Sequence, residues 1–250
     1  MISKPKLSLV MPAYNEEDNI DLVVERVDAV VKRLGLDYEL IVVDDGSIDN
    51  TRSRVNDYAK NNGHVKVVGY INNVGKGFVL RTGFSHAVGD LVIFIDSDAD
   101  IDPNQVMRYV DALKQADVVV ASKWHPQSKV ETPFIRRFLS HGFNFLVKLL
   151  VGLRLSDTQT GLKTIRRGAF LGVFPRLSVK RYAFDVEMLA LANLLGLRVV
   201  ELPIHIRIRK LFSFREVWRM FLDLLGITYR LRVLRWYQRA LAHRDLLDPR

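Results

Sequence analysis

The chain has 250 residues, of which 48% are hydrophobic and 26% charged, enough for one α/β domain with a substantial core and too few for two. It contains no cysteine, which excludes disulfides, thiolate metal sites and cysteine nucleophiles and leaves oxygen or imidazole to hold any metal. A formal net charge of +9 favours anionic partners, whether phosphorylated small molecules, acidic lipid or nucleic acid, and does not by itself choose among them.

The N-terminus, Met1-Ile-Ser-Lys-Pro-Lys, leads into an apolar run from Leu7 to Met11 that Pro12 closes. This lacks the h-region of a signal peptide, so export is not expected. No membrane span of about 18 uncharged apolar residues is expected either, because Arg219, Asp223 and Arg230 interrupt the most apolar C-terminal stretch. Leu7–Met11, Glu39–Val43, Val65–Ile71, Leu91–Ile95 and Val118–Ala121 read as strands with amphipathic segments between them. The alternation predicts an α/β fold with a mostly parallel sheet flanked by helices. Fully apolar runs such as Leu40-Ile-Val-Val and Leu91-Val-Ile-Phe-Ile suit strands covered on both faces.

In an open α/β sheet, ligands sit beyond the carboxyl ends of the strands. Three polar clusters fall there: Pro12-Ala-Tyr-Asn-Glu-Glu after the first strand, Asp44-Asp-Gly-Ser-Ile-Asp after the second, and Asp96-Ser-Asp-Ala-Asp after the fourth. All three should face one crevice. Asp96, Asp98 and Asp100 alternate, and where the chain stays extended a period of two puts them on one side. Such crowding is unfavourable unless a cation or proton joins it, and hard oxygen ligands suit Mg2+ or Mn2+. The plainer reading is a solvated loop with helix N-cap acids before Pro103. An EF-hand is excluded, because Ile101 and Met107 stand where glycine and glutamate are needed. A dehalogenase-type phosphatase also places Asp-x-Asp after an apolar strand, but no downstream Gly-Asp motif accompanies it.

Gly46 can supply the special backbone angles or close approach of a ligand-facing turn, and the Asp45 carboxylate can accept hydrogen bonds from a base or ribose. Asp49 reads nearly as well as an N-cap near Thr51. Asn73-Val-Gly-Lys-Gly sets two glycines and Lys76 before a helix, where backbone N–H groups and a cation can meet a phosphate. It lacks the Walker spacing, and a simple turn into the helix fits equally. Beyond residue 121 the rhythm weakens. A helix is expected from Pro133 to Val151, a polar turn at Ser156–Gly161 and a helix from Asp185 to Leu195, with Asp185 and Glu187 either buried carboxylates or first-turn acids. From Phe212 to Tyr237, aromatic and aliphatic residues mix with Arg215, Arg219, Arg230, Arg232 and Arg235, predicting basic amphipathic helices broken near Gly226. These would dock on an anionic leaflet, pack on the domain with arginines outward, or pair with a membrane protein.

Met11-Pro-Ala-Tyr-Asn-Glu-Glu, Val43-Asp-Asp-Gly-Ser-Ile-Asp, Asn73-Val-Gly-Lys-Gly and Asp96-Ser-Asp, in this order over roughly residues 5–125, resemble the family 2 glycosyltransferases of GT-A fold. Ala121-Ser-Lys-Trp, Asp157-Thr-Gln-Thr-Gly-Leu-Lys and Tyr182-Ala-Phe-Asp-Val-Glu look like the dolichyl- and polyprenyl-phosphate mannose and glucose synthases, the last two nearest the glucose type. The resemblance implies a GT-A, Rossmann-like nucleotide-sugar domain over residues 1–211 and a helical tail, membrane-associating or packing, over 212–250. It implies hexose transfer from UDP-glucose or GDP-mannose to a polyprenyl or dolichyl phosphate by a peripheral protein on the cytoplasmic face of a membrane.

By the same resemblance, Pro12, Tyr14, Glu16, Val43, Asp45, Lys76, Asp96, Ser97 and Asp98 bind the nucleotide sugar, and Arg209 and Arg215 close over its diphosphate. Asp96, Asp98 and Asp100 hold Mg2+ or Mn2+, with Asp100 where mannose synthases often carry glutamine. Lys123, Arg136, Ser140, Asp157 and Gln159 surround the acceptor phosphate. Asp96, Asp98 and Arg209 form the expected catalytic set. Lys123 stands where arginine is usual and loses its bidentate fork, and Lys210-Leu-Phe-Ser-Phe replaces the usual Gly-Ser-Lys run. Each basic residue reads equally as a solvated surface charge. A phosphate monoester is largely dianionic at neutral pH, so the expected chemistry is direct displacement with inversion, needing no strong base and no covalent sugar–enzyme intermediate. Two other functions compete. One is a nucleotide-sugar sensor without transfer activity; the other is a nucleic-acid-binding module, which the aspartates of the predicted crevice disfavour, so nucleic acid is not an expected partner.

Overall fold

The protein is represented by a computed structural model that describes residues 7–97, 100–208 and 213–242. Its strands are β1 (Leu7–Ala13), β2 (Tyr38–Asp44), β3 (Val65–Gly69), β4 (Leu91–Phe94), β5 (Val118–Ser122), β6 (Lys129–Glu131), β7 (Lys163–Arg166), β8 (Val199–Pro203) and β9 (His205–Arg207). Seven of them form one sheet in the order β3-β2-β1-β4-β7-β5-β8, while β6 and β9 pair as a parallel ribbon. The five expected strands all form. β1 through β4 are mutually parallel where they pair, and β7 runs antiparallel between β4 and β5.

The helices are α1 (Ile20–Lys32), α2 (Thr51–Lys60), α3 (Lys76–His86), α4 (Val106–Ala112), α5 (Phe134–Leu150), α6 (Arg167–Phe170), α7 (Phe184–Leu194), α8 (Phe214–Thr228) and α9 (Trp236–Ala242). They cover the sheet on both sides, and the alternation of β2 shows the result: Ile41 and Val43 enter one apolar cluster, Leu40 and Val42 the other. Every residue of β2 is buried, as its unbroken apolar run requires.

The C-terminal segment is built into this core on its inner face. Leu224, Ile227, Leu231 and Tyr237 join the cluster that contains Val10 and Ile41, so α8 and α9 share the core of the sheet domain. The helix does not break at Gly226 as expected. The cost of glycine in a helix, about 1 kcal/mol, is outweighed by the buried Leu224 and Ile227 on either side, and α8 continues into a π-helical turn at Tyr229–Val233. The chain breaks only afterwards, where Arg235 adopts a left-handed φ of 48°.

One buried carboxylate fastens this end. Glu187 of α7 is fully buried. It accepts hydrogen bonds from Ser178 N at 2.9 Å, Ser178 Oγ at 2.7 Å, Val179 N at 2.8 Å and Tyr237 Oη at 2.5 Å. Arg230 stands 3.6 Å away. Both readings open for Glu187 hold: it is a first-turn acid of α7 and a buried carboxylate. Among the described residues no helix is long and apolar enough to cross a membrane.

Candidate active site

Because β1, β2 and β4 run parallel, their carboxyl ends open at one sheet edge. Pro12, Tyr14 and Glu16 from the first cluster, Asp45 from the second, and Asp96 and Ser97 from the third line a single cleft of about 520 Å³. Lys76, Arg136 and Gln159 line it too. Val43 does not: it is fully buried within β2 and its side chain belongs to the core, so the expectation that it faces a ligand is corrected.

Much of the motif chemistry is spent on joining the loops to each other. Asn15, with a left-handed φ of 52°, donates from its N–H to Ser47 Oγ at 3.0 Å, and its Oδ1 accepts from Ile48 N at 3.0 Å. Glu16 N donates to Thr51 Oγ1 at 2.8 Å, and Glu17 N to Asp49 Oδ2 at 3.2 Å. Asp49 Oδ1 also accepts from Thr51 N and Oγ1, although the N-cap of α2 is Asn50 and not Asp49 as expected. Gly46 sits at φ 72°, and a Cβ there would fall 2.6 Å from the Ile71 carbonyl oxygen. Both special angles and close approach therefore require glycine at this turn.

The Asp45 carboxylate accepts from Asn73 Nδ2 at 3.0 Å, Val74 N at 2.9 Å and Gly75 N at 3.0 Å. Two backbone N–H groups expected to meet a phosphate are thus already bound to Asp45. What the turn presents to the cleft is Lys76, whose Nζ lies 2.5 Å from Asp96 Oδ1, with about a fifth of each side chain exposed. The other Asp96 oxygen lies against Gly161. A Cβ on Gly161 would fall 1.8 Å from Oδ2, so only glycine leaves room for the carboxylate in this orientation.

Asp96 and Asp100 do not face one space. β4 ends at Phe94 and the chain bends at Ser97, so the period-two argument, which needs an extended chain, no longer applies. Ile101 bridges to Ile206 and Arg207 N donates to the Asp100 carbonyl at 3.1 Å. Asp100 consequently lines a second concavity together with Arg26, Arg33 and Lys129. Its expected place beside Asp96 is corrected. Asp98 and Arg209 lie outside the described residues. Among the described residues no group of three or more His, Cys, Asp or Glu side chains is arranged to hold an ion.

Next to the cleft is a small hollow of about 40 Å³ lined by Lys123, Ser140 and Asp157, sharing Gln159 and Met220 with the main cleft. Arg136 opens on the main cleft, so the residues expected around an acceptor phosphate divide between two adjoining spaces. Lys123 Nζ bonds Asp157 Oδ2 at 2.6 Å and Thr160 Oγ1 at 2.7 Å, with both Lys123 and Asp157 almost wholly covered. Burial pushes the Asp157 pKa up, but Lys123 and the Thr160 hydroxyl outweigh it and hold the carboxyl below its ordinary value. Glu201 of β8 accepts from Ser156 N, Ser156 Oγ and Asp157 N at 2.8, 2.6 and 3.1 Å. The loop from Ser156 to Gly161 is therefore rigidly seated, and it carries Gln159 and Gly161 to the cleft.

The remaining wall was not anticipated. Arg181, Tyr182 and Asp185 reach it from the start of α7, and Glu216, Arg219, Met220 and Asp223 from α8. Asp185 is both a first-turn acid and a buried carboxylate, 3.1 Å from the Lys163 ammonium. Burial keeps the Lys163 pKa below the usual lysine value. α8 is positioned by a capping box, in which Glu216 N donates to Ser213 Oγ at 3.3 Å and Ser213 N to Glu216 Oε2 at 2.7 Å. That Ser-x-x-Glu spacing is visible in the sequence and could have marked the helix start. Arg215, in its first turn, is exposed and does not line the cleft.

A mostly parallel sheet flanked by helices, with a carboxylate-bearing cleft at its carboxyl edge, defines the class as a glycosyltransferase of GT-A fold. The family model described as "Glycosyl transferase family 2" matches residues 8–174, and the chain belongs to that family. The dolichyl-phosphate beta-glucosyltransferase of Drosophila melanogaster is 34% identical over 250 residues, covering 92% of this chain and 77% of that protein. That of Mus musculus is 32% identical with the same coverage. One from Trichomonas vaginalis is 30% identical over 79% of this chain, which spans 63% of that relative's length. Among solved structures, glucosyl-3-phosphoglycerate synthase from Mycobacterium tuberculosis, in complex with Mn2+, UDP and glucosyl-3-phosphoglycerate, superposes with a TM-score of 0.70 at 23% identity. That alignment covers 90% of this chain and 79% of the other, and shows a shared fold.

Proposed function

We propose that this chain transfers glucose from UDP-glucose to a dolichyl or other polyprenyl phosphate, with inversion at the sugar. The observation that carries this reading is the adjacency of the two spaces: the cleft holding Asp45, Lys76 and Asp96 meets the hollow of Lys123, Ser140 and Asp157 through Gln159 and Met220. A donor in the first and a phosphate at the second would meet at one carbon. The glucose preference rests on the relatives named dolichyl-phosphate beta-glucosyltransferase. Among the site residues, Pro12, Tyr14, Glu16 and Asp45 take the nucleoside, and Lys76, Ser97 and Asp96, with Asp98 and Arg209, take the diphosphate. Lys123, Arg136, Ser140, Asp157 and Gln159 serve the acceptor phosphate.

Asp96 fits a divalent cation. Mg2+ and Mn2+ are usually held by one or two carboxylates together with substrate phosphates, without a dedicated protein cage, and Asp96 turns a partly exposed carboxylate into the cleft. Asp98 would supply a second. The ion, when bound, would neutralise charge on the departing diphosphate. The Mn2+ and UDP in the structure of the mycobacterial synthase support that cofactor class. The acceptor phosphate oxygen forms the new bond to the anomeric carbon as the nucleoside diphosphate leaves with the bonding pair. A dianionic nucleophile brings no proton to remove, so the carboxylates bind and orient.

The lipid acceptor fits the outer surface. α5 packs against α8, and their outward side chains include Phe134, Phe138, Phe145, Phe214 and Trp218, with Phe134 82% and Phe214 85% exposed. The exposed Arg137 and Arg215 belong to the same two helices. An apolar stripe edged by arginine suits the headgroup region of an anionic leaflet, where a peripheral protein would meet its acceptor.

The test is transfer itself: radiolabelled UDP-glucose and dolichyl phosphate with Mn2+ should yield label in the organic phase, and GDP-mannose much less. Label that stays wholly aqueous with both donors would refute the assignment. Gly161→Ala gives a second check. Alanine must displace Asp96 or the loop, and misplacement near 1 Å can cost about 100-fold, so kcat/KM for the donor should fall about 10- to 100-fold with an unchanged circular dichroism spectrum. Wild-type kinetics in that variant would show that the Asp96 orientation does not matter.

A further inference from the structure

We propose that Arg181 and Arg219 form a phosphate-binding pair in the cleft, gripping phosphoryl oxygens of the reaction's charged ligands. The inference rests on the transferase reading above and assigns roles to two residues outside the aspartate-bearing motifs. Both side chains line the same cleft as Lys76 and Asp96, although they come from segments far apart in the chain. Arg181 precedes α7 and Arg219 lies in the second turn of α8.

Each is held in place by its surroundings. A Cβ on Gly75 would fall 3.0 Å from Arg181 Cγ and 2.7 Å from the Lys180 carbonyl oxygen, so the stem of Arg181 lies directly on the turn that precedes Lys76. Phe78 N also donates to that Lys180 oxygen at 3.2 Å, tying the two segments together. Arg219 is followed by Met220, which is buried between the cleft and the hollow. The capping box at Ser213 and Glu216 fixes the turn before it.

Among the described residues, neither guanidinium forms an ion pair with a carboxylate. Instead they sit in each other's field: desolvation, then Arg181 and Arg215, push the Arg219 pKa down and outweigh the opposing pull of Glu216. Asp223, one turn beyond Arg219, feels the Arg181 charge, but burial outweighs it and pushes the carboxyl pKa up, and its Oδ2 is buried without a hydrogen-bond partner. Like charges brought together with no carboxylate paired to either are unfavourable. An anion between them removes the penalty, and the planar guanidinium fork matches phosphate oxygens two at a time. Two phosphates take part in the reaction, the donor's diphosphate and the acceptor's monoester, and both present this chemistry.

The experiment uses the full chain as wild type, Arg181→Gln, Arg219→Gln and Arg181→Lys. UDP affinity is measured by calorimetry with Mn2+, and the acceptor KM with dolichyl phosphate in detergent. Each glutamine variant should lose about tenfold or more in one of these two quantities, as expected for a charge-assisted bond. A fall in UDP affinity assigns the pair to the diphosphate; a rise in acceptor KM assigns it to the lipid phosphate. Arg181→Lys should recover part of the loss, having kept the charge without the fork. Melting temperatures should equal or exceed that of wild type, because a repulsion has been relieved. Unchanged UDP affinity and unchanged acceptor KM in both glutamine variants would overturn the proposal, as would a lowered melting temperature with both ligand constants intact. A wild-type protein that neither binds UDP nor transfers sugar would instead overturn the reading of the site as a transferase.

Discussion

Asp96→Asn is expected to lower sugar transfer by about 10³-fold, equivalent to about 4 kcal/mol of transition-state stabilisation, while the melting temperature stays within a few degrees of wild type. Asparagine keeps the shape of the side chain that lies against Gly161 and still offers an oxygen toward Lys76. It removes the negative charge that a divalent ion at the diphosphate would need, and leaves the Lys76 ammonium, 2.5 Å away, without its counter-charge. The check is turnover at saturating UDP-glucose with Mn2+, set beside a thermal melt. Turnover within a few-fold of wild type would remove Asp96 from the catalytic set.

Glu187→Ala should cost about 3–5 kcal/mol of folding stability. The carboxylate is fully buried and accepts four hydrogen bonds, two from Ser178, one from Val179 N and one from the Tyr237 hydroxyl. Removing it strands those donors in the core, and each lost partner carries its own desolvation penalty. Burial and then Glu187 itself raise the Tyr237 pKa, so the phenol stays a donor throughout the working range. Denaturant titration followed by tryptophan fluorescence measures the effect, since Trp236 stacks edge-on against Tyr237. A loss below about 1 kcal/mol, the scale of one ordinary hydrogen bond, would mean that the C-terminal segment does not depend on this anchor.

The parts of the fold that were legible in the sequence are those whose residues have one physical option. β1, β2 and β4 are apolar because helices cover both faces, and their order placed Pro12, Asp45 and Asp96 at one edge. β7 was hidden: Lys163-Thr-Ile-Arg is short and carries a lysine whose burial makes sense only beside Asp185. The Asp96–Asp100 alternation misled because periodicity describes a strand, and the strand stops at Phe94. In the clusters after β1 and β2, residue types that suit ligands suit loop stitching equally, so Asn15, Ser47 and Asp49 look the same in sequence whichever they do. Arg219 was misjudged for a related reason. An arginine in an amphipathic helix reads as surface charge until the fold reveals that α8 turns this residue toward the cleft.

The central claim is that carboxylates at the sheet edge grip a sugar donor's diphosphate through a divalent cation. Calorimetric titration of UDP-glucose into the full chain tests it most directly, with Mn2+ present and then with the ion chelated. The account predicts one-site binding that weakens at least about tenfold without the metal. Equal affinity with and without Mn2+, or no binding in either condition, would contradict it.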